Sequence, residues 1–232
     1  MLSVFPIDKL PNSVTMESDM KQGEKRGLKV LGCTGGIGSG KSYVCNIFGR
    51  MGVPLYCSDD RTKSLYDTDL KLRSELTELL GEGIFRNGIL DRKAFAGIIF
   101  SDSDMLQRVE AIVHPAVLND FNRWKEEVER CNMQHGGKCG FVIFESALLL
   151  QKPLVRSCAD RVLVVTAPET LRLERVMRRD NASAEMVRER MANQLSDKEM
   201  RAQADYVITA DGKQALLPQI ENIYKSMSEV WE

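Results

Sequence analysis

The chain has 232 residues, of which 43% are hydrophobic and 28% are charged, and its formal net charge is −1. This composition is typical of a globular protein with a buried core. The near balance of charges excludes the strong positive field that non-specific nucleic-acid binding requires, so we expect small-molecule partners and no nucleic acid. No stretch approaches the roughly 18 consecutive apolar residues of a membrane span, and we expect no membrane-spanning segment.

The first 26 residues have a scattered apolar opening and end in polar and charged residues. They lack the apolar core and the small-residue cleavage site of a secretory signal. We therefore predict a flexible N-terminal extension over residues 1–26 and one domain over residues 27–232, located in the cytoplasm. The sequence does not indicate an oligomeric state.

The six cysteines contain no CxxC pair, and a chain of this size does not need disulfides to fold. Reduced thiols in a cytoplasmic enzyme are the expectation. Cys131, His135 and Cys139 are evenly spaced, but three ligands fall short of the set that a structural zinc site requires. We therefore expect no structural metal in this glycine-rich connector.

Five short apolar segments are predicted to be β-strands. They are Lys29–Thr34, Val53–Ser58, Phe141–Glu145, Arg161–Ala167 and Tyr206–Thr209. Their nearly continuous apolar character suits strands that are buried on both faces of a parallel sheet. Helix-compatible segments separate them, so we predict an α/β fold with right-handed crossovers.

Two intervals between these strands are too long for simple crossovers. The first, about residues 60–140, includes a strongly amphipathic run around Asp104–Arg130 and is predicted to be a helical, substrate-binding insertion. The second, about residues 170–203, is highly charged and is predicted to form a helix, a short turn near Asn181–Ser183 and another helix.

A glycine-rich segment follows the first strand, and residues 35–42 (GGIGSGKS) fit the pattern G-x-x-x-x-G-K-[ST]. Glycines let such a loop wrap phosphate oxygens with backbone N–H groups at a helix N-terminus. Lys41 is predicted to contact the β- and γ-phosphates of ATP, Ser42 to bind Mg²⁺, and the Tyr43 amide to reach the α-phosphate. The predicted nucleotide-binding residues are Gly35, Gly36, Gly38, Ser39, Gly40, Lys41, Ser42 and Tyr43.

The sequence lacks the NKxD and DxxG strings of GTPases and the LSGGQ-like element of ABC-type ATPases. A small-molecule kinase is favoured, because such enzymes need arginines that exclude water and neutralise the transferred phosphate. Arg175 and Arg179 share one helical face, and Arg175 is predicted to be catalytic along with Lys41. The candidate lid residues are Arg172, Arg175, Arg178, Arg179, Arg188 and Arg190. The alternative is that they form a solvated helix face.

The acceptor hydroxyl needs a base or an orienting carboxylate. Asp59 follows the second strand, at the edge of the sheet where the P-loop also emerges. Asp60 and Glu145 are alternatives, and Glu145 is also placed to hold Mg²⁺ directly or through water. Each carboxylate could instead cap the helix that follows its strand.

Several segments together resemble the dephospho-CoA kinase family from about Leu28 to Tyr224. They are LGCTGGIGSGKS, LYCSDD, RNGILDRKAFAGIIFSD, AIVHPAV, ALLL, VLVVTAPETLRLERVMRRD and NQLSDKEMRAQADYVI. The resemblance implies a P-loop kinase with a five-stranded parallel sheet in the order 2-3-1-4-5, an inserted helical substrate domain and a helical lid. It also implies transfer of the ATP γ-phosphate to the ribose 3′-hydroxyl of 3′-dephospho-CoA, the last step of CoA biosynthesis.

The resemblance gives Asp59 the role of general base and places His114, Pro115 and Arg92 on the acceptor side. His114 is equally consistent with a structural residue at a helix start. Two alternatives to this function are a kinase for another nucleotide or nucleoside and an ATP-regulated binding module.

The chain departs from the family pattern at four positions. Cys57 replaces the first Asp of a D-x-D motif, and Glu145 is a candidate to cover its task. Ala147 replaces a proline. Met200, which precedes Arg201, replaces a lysine, and Ala210 replaces an asparagine that follows the last strand. The last change weakens any assignment of adenine contacts in the C-terminal loop.

Overall fold

The computed structural model of the protein describes residues 27–134, 136 and 139–229. The predicted flexible extension and His135 of the evenly spaced Cys–His–Cys set lie outside these residues. Within the described ranges, no helix combines the length and the apolar character that crossing a membrane would need.

The described residues contain seven strands. They are Lys29–Thr34 (β1), Leu55–Cys57 (β2), Phe85–Arg86 (β3), Ile89–Leu90 (β4), Phe141–Glu145 (β5), Arg161–Thr166 (β6) and Tyr206–Thr209 (β7). Strands β3 and β4 form an antiparallel hairpin. The other five form a parallel sheet in the order β2-β5-β1-β6-β7, which confirms the predicted order 2-3-1-4-5.

Ten α-helices and one short 3-10 helix, Glu82–Ile84, accompany the sheet in the described part of the chain. The α-helices are Lys41–Arg50 (α1), Ser58–Thr68 (α2), Leu70–Leu80 (α3), Arg92–Ser101 (α4), Ser103–Gln134 (α5), Pro153–Arg156 (α6), Glu169–Asp180 (α7), Ala184–Ala192 (α8), Asp197–Ala202 (α9) and Leu216–Ser228 (α10). Local side chains set several boundaries. Asp69 and Asp91 accept hydrogen bonds from the first turns of α3 and α4, and Ser196 forms a capping box with Glu199 at α9.

Alternating strand residues build two apolar cores, one on each face of the sheet. Val30 of β1 faces the core that α2 to α5 cover, whereas the adjacent Leu31 faces the core formed with α1 and α10. An aromatic cluster lies in the first core, where Tyr56 stacks on Phe144 at 5.5 Å between ring centroids and Phe121 packs edge-on against Phe144 at 4.8 Å. The sheet is therefore buried on both sides, as its continuous apolar strands predicted.

The helical segments differ from the sequence prediction in two details. The charged interval contains three helices, because α9 follows α8 after the capping box at Ser196; the predicted turn is present, with Asn181 in the left-handed conformation. His114 lies well inside α5, so the alternative of a residue at a helix start is wrong. Pro115, within the same helix, is exposed.

Candidate active site

The loop between β1 and α1 owes its path to glycines that other residues cannot replace. Gly38 and Gly40 have φ values of 79° and 95°, which only glycine adopts at low cost. A Cβ atom at Gly38 would lie 2.5 Å from the carbonyl oxygen of Arg172. Gly40 caps α1, and the first turn of α1 contains no acidic residue. The loop therefore presents backbone N–H groups at a helix N-terminus that suits anions.

Glu145 joins the P-loop to the end of β5. Its Oε1 accepts hydrogen bonds from Lys41 Nζ at 2.5 Å and from Ser42 Oγ at 2.9 Å. Burial alone would raise the pKa of Glu145, but Lys41 and these hydrogen bonds hold it below its ordinary value. Burial would likewise lower the pKa of Lys41, yet Glu145, with a smaller contribution from Asp59, raises it. Both side chains are therefore charged at neutral pH.

The Ser42 hydroxyl and the Glu145 carboxylate bring two hard oxygen donors together at the carboxyl end of the sheet. Mg²⁺ is usually bound by one or two carboxylates, and substrate phosphates and water complete its coordination. These two residues fit that requirement.

Cys57 lies beside Glu145. The two residues are register partners on the parallel strands β2 and β5, and the Cys57 thiol lies near enough to the Glu145 carboxylate for each group to shift the pKa of the other. Burial and the neighbouring carboxylate raise the pKa of Cys57 to about 12, so the thiol keeps its proton. A neutral hydrogen-bond donor therefore occupies the first position of the expected D-x-D motif.

Asp59 and Asp60 differ in their surroundings although they are adjacent in the first turn of α2. The Asp60 carboxylate accepts a hydrogen bond from Lys63 at 2.8 Å and is exposed. Asp59 instead lines a cavity between the insertion helices and the sheet, and its negative charge contributes to raising the pKa of Lys41. Asp59 is the carboxylate that faces both the P-loop lysine and this cavity.

We call this space the acceptor cavity, and its volume is about 390 Å³. Asp59 and Ser146 lie on its lining, together with apolar side chains of α4 and α5 such as Phe95. His114 also lines the cavity, and burial lowers the pKa of its imidazole. Arg92 is exposed at the start of α4. Its positive charge interacts with Tyr66, which lines the cavity, and opposes the rise in the Tyr66 pKa that burial causes.

The arginines of α7 contact the P-loop in different ways. Arg175 donates to the carbonyl oxygens of Gly38 at 3.3 Å and Ala210 at 2.9 Å, so it ties α7 to the P-loop and to the end of β7. Arg172 lies over Gly36, and its buried Nε has no hydrogen-bond partner among the described residues. Arg172 therefore retains hydrogen-bonding capacity next to the loop.

The other four lid arginines have different surroundings. Arg179 and Arg190 both donate to Asp180, at 2.6 Å and 2.7 Å. Arg178 is exposed, and Arg188 lines a second cavity of about 700 Å³ that also borders Arg172.

Sequence reasoning missed two contacts of the site. The Gln194 Oε1 accepts a hydrogen bond from the Ile37 amide of the P-loop at 2.8 Å, and Asp197 accepts one from Thr166 Oγ1 at 2.5 Å and another from Arg201 at 2.6 Å. Ile37 and Thr166 lie far in sequence from Gln194 and Asp197, and an isolated Gln or Asp in a charged segment carries no pattern that would reveal these contacts.

The fold and the site together define a nucleotide-dependent phosphotransferase of the P-loop kinase class. A sequence model of the dephospho-CoA kinase family matches residues 29–215. A dephospho-CoA kinase from Bacteroides fragilis is 39% identical over 190 residues, which cover 82% of this chain and 88% of that protein. A second, from Porphyromonas gingivalis, is 39% identical over 198 residues, covering 85% and 93%. The chain belongs to the dephospho-CoA kinase family.

Two solved structures share the fold of this chain. A crystal structure of a Thermus thermophilus protein has a TM-score of 0.71 and 30% identity, covering 89% of this chain and all of that one. The dephospho-CoA kinase of Campylobacter jejuni shares the fold with a TM-score of 0.61 at 21% identity, covering 86% and 97%. The family model and the two relatives confirm the predicted family and kinase activity, and none of them supports a kinase for another acceptor. The sheet order and the solved structures confirm the fold class.

Proposed function

We propose that this chain transfers the γ-phosphoryl group of ATP to the ribose 3′-hydroxyl of 3′-dephospho-CoA, giving coenzyme A and ADP, with Asp59 as the general base. The observation that carries the proposal is the position of Lys41. It pairs with Glu145 on the nucleotide side and lies within electrostatic reach of Asp59 on the acceptor side. A γ-phosphate at Lys41 would therefore face the acceptor cavity.

The proposed chemistry is an in-line transfer. Asp59 takes the proton of the 3′-hydroxyl, whose oxygen forms a bond to the γ-phosphorus while the bond to the ADP oxygen breaks. Lys41 and the P-loop amides stabilise the charge on the transferred group and on the leaving diphosphate. Ser42 and Glu145 would hold Mg²⁺, which supplies further positive charge to the phosphate oxygens when it is bound.

We assign the two arginines of α7 different tasks. Arg172 provides the charge that approaches the γ-phosphate, because its Nε is unpartnered among the described residues and its guanidinium lies over Gly36. Arg175, which the sequence favoured as the catalytic arginine, holds the P-loop through carbonyl contacts. The closing of such a lid would exclude water from the transferred phosphate.

On the acceptor side, we propose that His114 contacts the substrate as a neutral imidazole, since burial lowers its pKa. Arg92 contributes charge at the rim. Pro115 is exposed and is not among the residues that line the cavity, so we assign it no contact with the acceptor. The cytoplasmic location stays a prediction, supported by six cysteines that are all free thiols.

The test is to incubate the purified protein with ATP and Mg²⁺ and with dephospho-CoA, AMP, CMP or pantothenate, and to chromatograph the products. We expect coenzyme A from dephospho-CoA, with much slower turnover of the other three. Phosphorylation of another acceptor without formation of coenzyme A would contradict the proposed function, and no transfer at all would indicate an ATP-binding module.

A further inference from the structure

A buried carboxylate, Asp120 of α5, is held by side chains from β2 and α2. Arg61 donates to it in bidentate fashion, with Nε 2.8 Å from Oδ2 and Nη2 2.7 Å from Oδ1. The Tyr56 hydroxyl donates to Oδ2 at 2.7 Å. We call these three residues, Tyr56, Arg61 and Asp120, the Asp120 network.

The network lies directly behind the acceptor cavity. Arg61 follows Asp59 by two residues in α2, and Asp120 follows His114 by six residues in α5. Val117 contacts both the cavity and the network. It lines the cavity, and its carbonyl oxygen lies 3.2 Å from the Tyr56 hydroxyl. The network thus connects the helix that presents Asp59 to the helix that forms the opposite wall.

Apolar packing alone specifies the position of α2 poorly. Of its eleven residues, only Ser58 and Leu65 are buried. A bidentate arginine–carboxylate pair fixes both distance and orientation, which contacts between apolar side chains do not. Burying a carboxylate costs free energy unless the carboxylate is fully paired. Apolar residues at these positions would stabilise the fold as much as the ion pair does, so stability alone does not account for the pair.

We propose that Arg61 and Asp120 are positioning residues for phosphoryl transfer, which set Asp59 at its working distance from the acceptor. This inference rests on the proposed function of Asp59. It predicts a separation of effects, since the P-loop, α1 and α7 do not contribute to the network. Loss of the network impairs turnover of the acceptor and leaves ATP binding intact.

The experiment compares Arg61→Lys and Arg61→Met with wild type, measuring the Kd for ATP and kcat and KM for dephospho-CoA. Arg61 is 45% exposed, so both variants are expected to fold. We expect kcat/KM for dephospho-CoA to fall by about 10- to 100-fold in Arg61→Met, because small displacements of reacting groups are costly. The Kd for ATP stays within about twofold. Arg61→Lys keeps the charge without the bidentate geometry and shows an intermediate loss.

Arg161→Met is the matched control. Arg161 also pairs with an aspartate, Asp205, and its side chain is 57% exposed, but it lies at the opposite end of the sheet. We expect wild-type kinetics for this variant. Wild-type kcat/KM in both Arg61 variants would overturn the proposal. A loss of ATP affinity as large as the loss in kcat/KM for dephospho-CoA would also overturn it. If wild-type enzyme makes no coenzyme A, the proposed function itself fails, which is a separate outcome.

A double variant separates positioning from stability. Arg61→Met combined with Asp120→Leu removes both charges, and Tyr56 keeps the Val117 carbonyl as an acceptor. Replacing a buried ion pair with apolar residues often restores stability. We expect the double variant to have a higher Tm than Arg61→Met alone, in which the buried Asp120 carboxylate has lost its bidentate partner, and to retain the low kcat/KM. Recovery of acceptor turnover would mean that the network only stabilises the fold and would overturn the proposal.

Discussion

Cys57 and Glu145 are register partners on two parallel strands, and the Glu145 carboxylate helps to keep the Cys57 thiol protonated by raising its pKa. The same carboxylate binds Lys41 and Ser42 of the P-loop. Two donors from α1 therefore fix the orientation of Glu145, and the protonated Cys57 thiol lies beside it. The cysteine that replaces the expected aspartate supports the remaining carboxylate and adds no second negative charge.

This relationship predicts different outcomes for two substitutions of Cys57. Cys57→Ser keeps a hydrogen-bond donor at Glu145, and we expect its kcat to stay within about threefold of wild type. Cys57→Ala removes the donor, and the loss of one hydrogen bond to a charged group should lower kcat by about tenfold. Steady-state assays at saturating ATP measure both. Equal activity of the alanine and serine variants would contradict a role for the hydrogen bond.

The lid arginines provide a second prediction. Arg172→Met should lower kcat by about 10²-fold, the usual consequence of removing one group that stabilises charge in the transition state. Arg178→Met, on the same helix but exposed, is the control and should retain most activity. Similar losses in both variants would show that overall lid charge, and not contact of Arg172 with the phosphate, is what matters.

His114 gives a prediction for pH dependence. Burial holds its pKa below 6.5, with opposing influences from Glu110 and Lys152. Between the folded-state and unfolded-state pKa values the unfolded chain binds more protons. The contribution of His114 to stability is therefore complete above the unfolded-state pKa and is lost as the pH falls through the folded-state pKa.

Thermal unfolding of wild type and His114→Gln at pH 8 and pH 5 measures this effect. We expect the Tm of wild type relative to the variant to decrease between pH 8 and pH 5. A difference in Tm that is constant, or that increases in acid, would be inconsistent with an imidazole whose pKa is lowered by burial.

The sequence was sufficient for most of the fold because its strands are nearly continuous apolar runs. The predicted bounds of β1, β5 and β7 agree with the structure, and β6 ends one residue earlier, at Thr166. The second strand is shorter than predicted, Leu55–Cys57, since Ser58 begins α2. The strand order came from the family resemblance, because local patterns carry no information about pairing between distant segments.

The site was less accessible from sequence. The P-loop is a contiguous motif, so its residues could be recognised directly. The distinction between Asp59 and Asp60 depends on side-chain direction in the first turn of a helix, and the distinction between Arg172 and Arg175 depends on contacts with the P-loop backbone. The Asp120 network joins residues about 60 positions apart and has no motif at all. Such contacts appear only once the chain is folded.

The most direct test of the account is a single-turnover measurement with enzyme in excess over γ-labelled ATP, with dephospho-CoA present, in wild type and in Asp59→Asn. Asp60→Asn is the matched control, since that carboxylate pairs with Lys63. We predict that label appears in the 3′-phosphate of coenzyme A at least about 10²-fold more slowly in Asp59→Asn, with an unchanged Kd for ATP and near wild-type transfer in Asp60→Asn. Transfer at the wild-type rate in Asp59→Asn would contradict the claim that Asp59 is the general base of the reaction.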